Sequence, residues 1–480
     1  MRFFSDLRSR YFTLLLVLVL PLFIACDDDK KPDDEKDLGK KSDSSGVVDP
    51  PTVGTYPSTQ QTIQGWIDNV DMKSIRGHGW DVWASITSPS GEGDLPVWET
   101  WYSGHDLFDN VKPGAKLTRK RVRPFRRPEQ FHHQSVVQRS GAIPQDPSEQ
   151  VTSFNRYTAS VAEFIWNNGL NRAAVLDSTN EAFNKAGTPV IDRQVLTSAD
   201  SIDPKSIVLK PVFQFISGTE PTAIPYWDGI SPETTTNLEN PEPYTWRQAV
   251  VVDPTGKLKP GDSVEMSFNG EPKQLLPVVS LDDFYHVVLT KQDAEDFSEF
   301  AETSGDDVGL GNKGDSASVA AMVKEGNIAL LMAMHVTTKE IPNWTWQTFY
   351  WAADPNDPQF GNDRPSSITG IWAHYNMKTA YFMVTPPGNP KGDPFVAFNP
   401  YLETNLSGTV TTSNGEKIKW TGVSSNCMTC HRLAAWQQNP GQSFPKTPDY
   451  QPDGFIDPAD SALFAGFTKL DFLWSLTRAD

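Results

Sequence analysis

The sequence predicts an α+β fold, a large strand-rich body followed by a small helical segment, on three observations. Short β-branched runs recur from Ser206 onward, closed by Pro, Gly or Asp. Before them, residues 148–168 carry apolar side chains three and four apart, the spacing of one helix face. Near the C-terminus, Cys427-Met-Thr-Cys430-His431 has no counterpart elsewhere in the chain. On this reading the 480 residues divide into 1–25, 26–59, 60–400 and 401–480. At 38% hydrophobic, with 38 Pro and 33 Gly, the chain can build a core and surround it with turns.

Residues 1–25 read as a secretory signal. A basic start, Met1 to Arg10, precedes an apolar run from Tyr11 to Ala25 that is short for a membrane span. The junction Phe23-Ile-Ala-Cys26 resembles a bacterial lipobox, with Cys26 as the lipidated first residue. The alternative is a plain anchor helix. Both place the body outside the cytoplasm, lipid-anchored on the periplasmic side or at the outer membrane in the first case. Residues 26–59 open with Asp27-Asp-Asp-Lys-Lys-Pro-Asp-Asp-Glu-Lys and read as an acidic disordered tether. Such a segment reaches roughly 30 Å on average. Without residues 1–25 the chain has 39 basic and 59 acidic side chains, net −20. That field excludes nucleic acid and favours a partner with a basic patch.

The body, residues 60–400, is expected to begin near Gln60. The alternation of Trp80, Val82 and Ala84 predicts a half-buried strand. His78, set between glycines, reads first as a hydrogen-bonded structural residue and second as a functional one. Lys116-Leu-Thr-Arg119-Lys-Arg121-Val-Arg123-Pro-Phe-Arg126-Arg127 is the one basic cluster, either a salt-bridged loop or a dock for carboxylates. Val151, Phe154, Tyr157, Val161, Phe164 and Ile165 predict a single helix ended by Asn167-Asn168-Gly169. Strands are expected at 206–215, 249–252, 275–279 and 286–290. Gly305 to Gly314 lacks the Gly-Lys-Ser/Thr ending of a phosphate loop and reads as surface.

Aromatic, Met and His residues crowd between Asn327 and Glu403. Ile328 to Thr338 predicts a buried strand carrying His335. Asn343 to Trp351 places Trp344, Trp346 and Thr348 on one face and Thr345, Gln347 and Phe349 on the other. His374, Met377 and Met383 follow.

Cys427-Met-Thr-Cys430-His431 carries the attachment signature of a c-type haem. Two thiols three positions apart can add to the two vinyl groups of one porphyrin, with the next imidazole on the iron. A zinc site would want four ligands in close groups, and the third cysteine is the distant Cys26. A thioredoxin-like dithiol pair would sit early in a βαβ unit. The expected cofactor is one covalent haem c on Cys427 and Cys430, with His431 as proximal iron ligand and the basic cluster as a possible dock for its propionates. Residues 432–480 contain no Met and no His, so a sixth ligand must come from upstream or the iron site stays open. The candidates are Met332, Met334, His335, His374, Met377 and Met383. Arg432 to Trp436 should continue the motif helix, and Asp457 to Trp474 should form a last one. Pro440 or Pro445 could offer a carbonyl to the proximal imidazole.

Several of these stretches are similar to one family. His335 with Thr338-Lys-Glu340, Trp344-x-Trp346-x-Thr-Phe349, Asn399-Pro-Tyr-Leu-Glu403, Ser425-Asn-Cys-Met-Thr-Cys-His431 and Asp471-Phe-Leu-Trp-Ser475 resemble a group of bacterial exported proteins of the cytochrome c family. The resemblance spans roughly residues 60–480 and is most specific after 327. It implies haem and export, and carries a residue role only to Cys427, Cys430 and His431. Two function classes follow. One is a membrane-anchored extracytoplasmic mono-haem cytochrome passing electrons to a partner protein. The other is a haem-dependent redox enzyme with an open iron site, acting on peroxide or another small oxidant. The second is favoured by a body far larger than electron transfer requires.

Overall fold

The computed structural model describes residues 46–109, 111, 114–120, 122, 125–127, 151–196, 203–229, 246–303, 323–403, 408–411, 417–420, 425–437 and 453–478. These residues belong to one compact unit. The signal, Cys26, most of the tether, the Gly305 loop, Pro440 and Pro445 lie outside the described residues. Among the described residues no helix is long and apolar enough to cross a membrane.

The fold is mixed α+β. Helices α1 (Gln60–Asp68) and α2 (Met72–Ile86) come first. The strands are β1 (Tyr102–Ser103), β2 (Val151–Ser153), β3 (Arg156–Tyr157), β4 (Ile207–Ile216), β5 (Thr222–Pro225), β6 (Ala249–Val252), β7 (Ser263–Met266), β8 (Gln274–Val279), β9 (His286–Val288), β10 (Ile328–Thr338), β11 (Thr345–Trp351) and β12 (Tyr375–Thr379). Eight of them form one sheet in the order β1-β3-β4-β10-β11-β12, with β2 also on β4 and β9 also on β10. Strands β5-β6-β8-β7 make a smaller sheet. Strand β10 is buried along its whole length except for half-buried His335. A strand covered on both faces reads as a continuous apolar run, which is how Ile328 to Val336 reads.

The first face of the main sheet is covered by α2. The expected strand over Trp80, Val82 and Ala84 is instead this helix. Ile75, Gly79, Val82, Trp83 and Ile86 are spaced for one helical face, and Asp71 caps the first turn by accepting from Ser74 N at 3.1 Å. Trp83 stacks on Phe349 with ring centroids 4.1 Å apart. A Cβ on Gly79 would lie 2.7 Å from Met377 Sδ, so glycine lets α2 approach β12. Residues 46–59, read as the end of the tether, belong to this unit: Tyr56 is fully buried, and Ser58 N donates to Glu340 Oε1 at 2.6 Å.

The second face is covered by the C-terminal region. Val208, Trp346 and Ala380 of the sheet pack with Met428, Leu433, Leu470, Leu473 and Leu476. This region is less helical than expected. The motif helix stops at Arg432 and turns into a strand, Ala435–Trp436, paired with Thr468–Lys469. The expected last helix is reduced to Ser461–Phe464 and a 3-10 turn at Trp474–Arg478. Gly466 and the left-handed Asp471 and Phe472 interrupt it. The helix expected over 148–168 is confined to Ala159–Asn167; Val151 and Tyr157 lie on strands β2 and β3, with Phe154 between them, because β4 offers open hydrogen-bonding groups there.

Three arginines of the basic cluster, Arg119, Arg126 and Arg127, are salt-bridged. Arg126 and Arg127 converge on Asp109, at 3.3 and 2.6 Å, and Arg126 also reaches Glu299 at 2.6 Å. Burial by itself would raise the Asp109 carboxyl, but hydrogen bonds from His105 and Arg127 outweigh it and bring it down to about 2. A carboxyl lowered on folding stabilises the native state above its unfolded value, and that contribution is lost as pH falls through its folded value. Asp109→Asn should therefore cost roughly 2 kcal/mol in denaturant unfolding near neutral pH. The gap between variant and parent should close as pH drops from about 4 to about 2.

Candidate cofactor site around the Cys427–His431 helix

Asn426 sets the motif helix in place. Its side chain accepts from Thr429 N at 3.1 Å, capping Cys427–Arg432, and its amide donates to the carbonyls of Phe395 (2.6 Å) and Phe382 (3.1 Å). Thr429 Oγ1 adds a bond to the Gly454 carbonyl at 2.8 Å. A six-residue helix is too short to persist alone, so these buried anchors hold it. Cys427 and Cys430 are both buried, Cys427 in one apolar cluster with Trp346 of β11, and burial raises the Cys427 thiol well above its ordinary range.

His431 follows on the same turn. Its Nδ1 lies 2.8 Å from the Phe472 carbonyl. A carbonyl only accepts, so Nδ1 carries the proton and the lone pair stays on Nε2. Burial pushes the imidazole down to about 4, which keeps it neutral. Trp346 packs on it with ring centroids 4.3 Å apart. Phe472, rather than the expected Pro440 or Pro445, supplies this carbonyl. The turn that aims it is unusual, with Asp471 at φ 49° and Phe472 at φ 68°, both left-handed.

The sheet face opposite α2 brings ionisable groups to the motif. His335 stands across from Lys210 on β4 and Thr348 on β11, and Thr348 across from Lys378 on β12. Directly opposed residues share a face, so the four form one row. Glu403 approaches it, with Oε1 3.4 Å from His335 Nε2 and Oε2 accepting from Asn399 N at 2.5 Å. Burial lowers His335, helped by the charge of Lys210 and the nearby His431, and so holds it neutral. Burial raises Glu403 to about 7 and lowers Lys378 to about 7. Yet His335 and Glu403 keep 15% and 16% of their side-chain surface accessible, and Lys210 and His431 are also half-buried. Accessible surface on groups that burial dominates lines a recess, and here it is lined by Lys210, His335, Glu403 and His431. A nitrogen of His335, an oxygen of Glu403 and Cys427 Sγ lie within 4.8 Å of one another. Such donors suit a metal ion, but Lys210 and Lys378 on the same face oppose a bare divalent cation.

The other upstream candidates separate cleanly. Met332, Met334 and Met377 are buried in the aromatic core beneath α2. His374 pairs with Asp283 at 3.5 Å beside that core. Met383 shares the apolar cluster of Cys427 and Met428. Of the six, His335 stands in the ionisable row beside the motif and Met383 in the motif's own apolar cluster. His78 is satisfied by Tyr381 Oη at 2.5 Å and Glu340 Oε1 at 3.1 Å, in a fully buried network. Lys210, Lys378, Glu403 and Asn426 were not singled out for the site from sequence. The available signal was a lone lysine within an apolar strand, in Val-Leu-Lys210-Pro-Val and again at Met377-Lys378-Thr.

No family model, curated protein or solved structure matches the chain.

Removing the Asn426 side chain deletes the cap and strands two buried carbonyls. Asn426→Ala should cost roughly 2–3 kcal/mol in chemical denaturation. Asn426→Ser, which keeps a capping oxygen, should fall between the two.

Proposed function

We propose that the chain is a mono-haem c-type cytochrome, lipid-anchored outside the cytoplasm through Cys26 and acting in electron transfer. The observation that carries this reading is the state of His431. On a Cys-x-x-Cys-His helix, its Nδ1–H is tied to a backbone carbonyl and its neutral Nε2 holds the lone pair, the arrangement an iron-ligating histidine needs. Cys427 and Cys430 would carry the two thioether bonds, and His431 the iron. Trp346, Met383 and Phe472, packed in one apolar cluster with Cys427, would give such a group an apolar wall beside the helix. Bound haem would supply a one-electron iron couple. The protein's own contribution would be to fix the imidazole, exclude water along the apolar wall, and offer His335 in the ionisable row and Met383 in the cluster of Cys427 as upstream sixth-ligand candidates. The acidic surface suits a redox partner with a basic docking patch.

A second reading, a haem-dependent redox enzyme with an open iron site, is favoured by the row of Lys210, His335 and Lys378 with Glu403. Glu403 and Lys378, both drawn to about 7 by burial, can give and take protons, which electron transfer alone does not require.

Mass spectrometry after expression with a haem-attachment system should show one added haem that resists acid extraction, lost when Cys427 and Cys430 are both replaced by Ala. A bare-chain mass in the parent would overturn the assignment. Electron transfer predicts a reduced spectrum unchanged by carbon monoxide and altered by His335→Ala. Tight carbon monoxide binding with rapid peroxide turnover would select the enzyme. Separately, Cys26→Ser should release the protein from membranes or block its processing, and unchanged membrane retention with normal cleavage would exclude the lipid anchor.

A further inference from the structure

We propose that Lys339 and Asp471 are positioning residues for His431, holding the Asp471-Phe472 turn so that the Phe472 carbonyl stays on Nδ1 and sets the ligand strength of Nε2. This rests on the reading of His431 as an iron ligand. Lys339 Nζ meets both carboxylate oxygens of Asp471, at 2.7 and 3.0 Å, and both side chains are buried. Trp344 Nε1 donates to the same carboxylate at 2.8 Å, and the Lys339 ammonium lies 5.1 Å from the Trp344 ring centroid. Arg432, next to His431, stacks over the Phe472 ring at 4.8 Å.

Two features separate this cluster from an ordinary core ion pair. First, a buried ion pair is a poor source of stability, since an apolar pair of similar volume serves as well or better. What such a pair does supply is a defined geometry. Second, Trp344, Asp471 and Phe472 all have left-handed backbones, at φ 58°, 49° and 68°. A bulky side chain in that region persists only when its surroundings over-determine it. Here Trp344 donates to the carboxylate of Asp471, and the next residue, Phe472, offers the carbonyl bonded to His431. A carbonyl acceptor on Nδ1–H fixes the ring and raises the basicity of the other nitrogen. A more basic Nε2 favours the oxidised iron, so weakening the clamp raises the midpoint potential.

The test compares two double variants that remove the same charges. Lys339→Gln with Asp471→Asn leaves a pair that can still hydrogen-bond; Lys339→Met with Asp471→Ala leaves none. Their field effects on the iron cancel in the comparison. The second should show a midpoint potential shifted upward from the first, and the slowly exchanging His431 Nδ1–H signal in the nitrogen-15 spectrum of the reduced protein should disappear. The first should keep that signal. Trp344→Phe, which removes one support and keeps the ring, should give a smaller upward shift and serves if the Met/Ala pair does not fold. Equal potentials and an intact Nδ1–H signal in every variant would overturn the proposal. Haem content of the parent is measured separately, so absent haem points to the underlying reading. The Nδ1–H signal in the haem-free chain then decides whether the clamp exists.

Discussion

The site depends on the register of β10. His335 faces the motif only because it stands opposite Lys210 and Thr348. In a strand every other side chain changes face, so a slip of one residue would turn His335 under α2 and bring Met334 to the recess. The packing beneath α2 forbids that slip. Met334 is opposite Phe349, Phe349 is opposite Met377, and these two lie against Trp83 and Gly79. Sliding Lys378 or His335 into that aromatic layer would bury their polar groups without partners. The apolar face thus selects which side of the sheet carries charge, although it touches neither the motif nor Glu403.

The row of Lys210, His335 and Lys378 with Glu403 is difficult to explain as a stability device. Each buried ionisable group carries a desolvation penalty that a Met or Leu would avoid. Lys378 illustrates the compromise: its ammonium lies 3.2 Å from the Phe398 ring centroid and draws some support from Glu403, yet it still sits far below its ordinary value. Perturbed groups gathered around a recess are characteristic of functional sites. The same composition appears in the anchor of Glu403. Asn399 donates its backbone N–H to the carboxylate and its side-chain amide to Thr348 Oγ1 at 2.7 Å, tying the Asn399-Pro-Tyr-Leu-Glu403 turn directly to β11.

Sequence reasoning located the long strands well, because β4, β6, β8, β10 and β11 are dense in β-branched or aromatic residues and end at turn formers. It misread Met72–Ile86, where Trp, Val and Ala at alternate positions imitate a strand while Ile75, Gly79, Val82 and Ile86 carry the helical period. It also extended the helix at Ala159 backwards through Val151, since apolar spacing cannot register that β4 is waiting for partners. At the site, the thiols and His431 were legible as a motif, and His335 as a polar residue in an apolar strand. The Phe472 carbonyl was not, because a backbone oxygen leaves no mark on composition and its placement depends on two left-handed residues. Lys210 and Lys378 stand out in sequence as lone lysines within apolar strands, but only the register sets them in one row with His335.

The stretches around Lys339, Trp344, Glu403, His431 and Asp471 occupy one region of the fold. Lys339 follows the end of β10, Trp344 leads into β11, Trp346 covers His431, Asn399 and Glu403 form the turn over His335, and Asp471 and Phe472 close on His431. The motif helix contributes six residues and almost none of its own support. Its cap is bound to Phe382 and Phe395, its imidazole to Phe472, and its flank to Trp346. Strand β10 alone carries His335 near its middle and delivers Lys339 just past its end, so one strand reaches both the recess and the clamp. A segment cut from this body after residue 401 would lose Trp346 and the other groups of the sheet that hold His431. The eight-stranded sheet is the frame of the site, and the region after residue 401 completes it from the uncovered face.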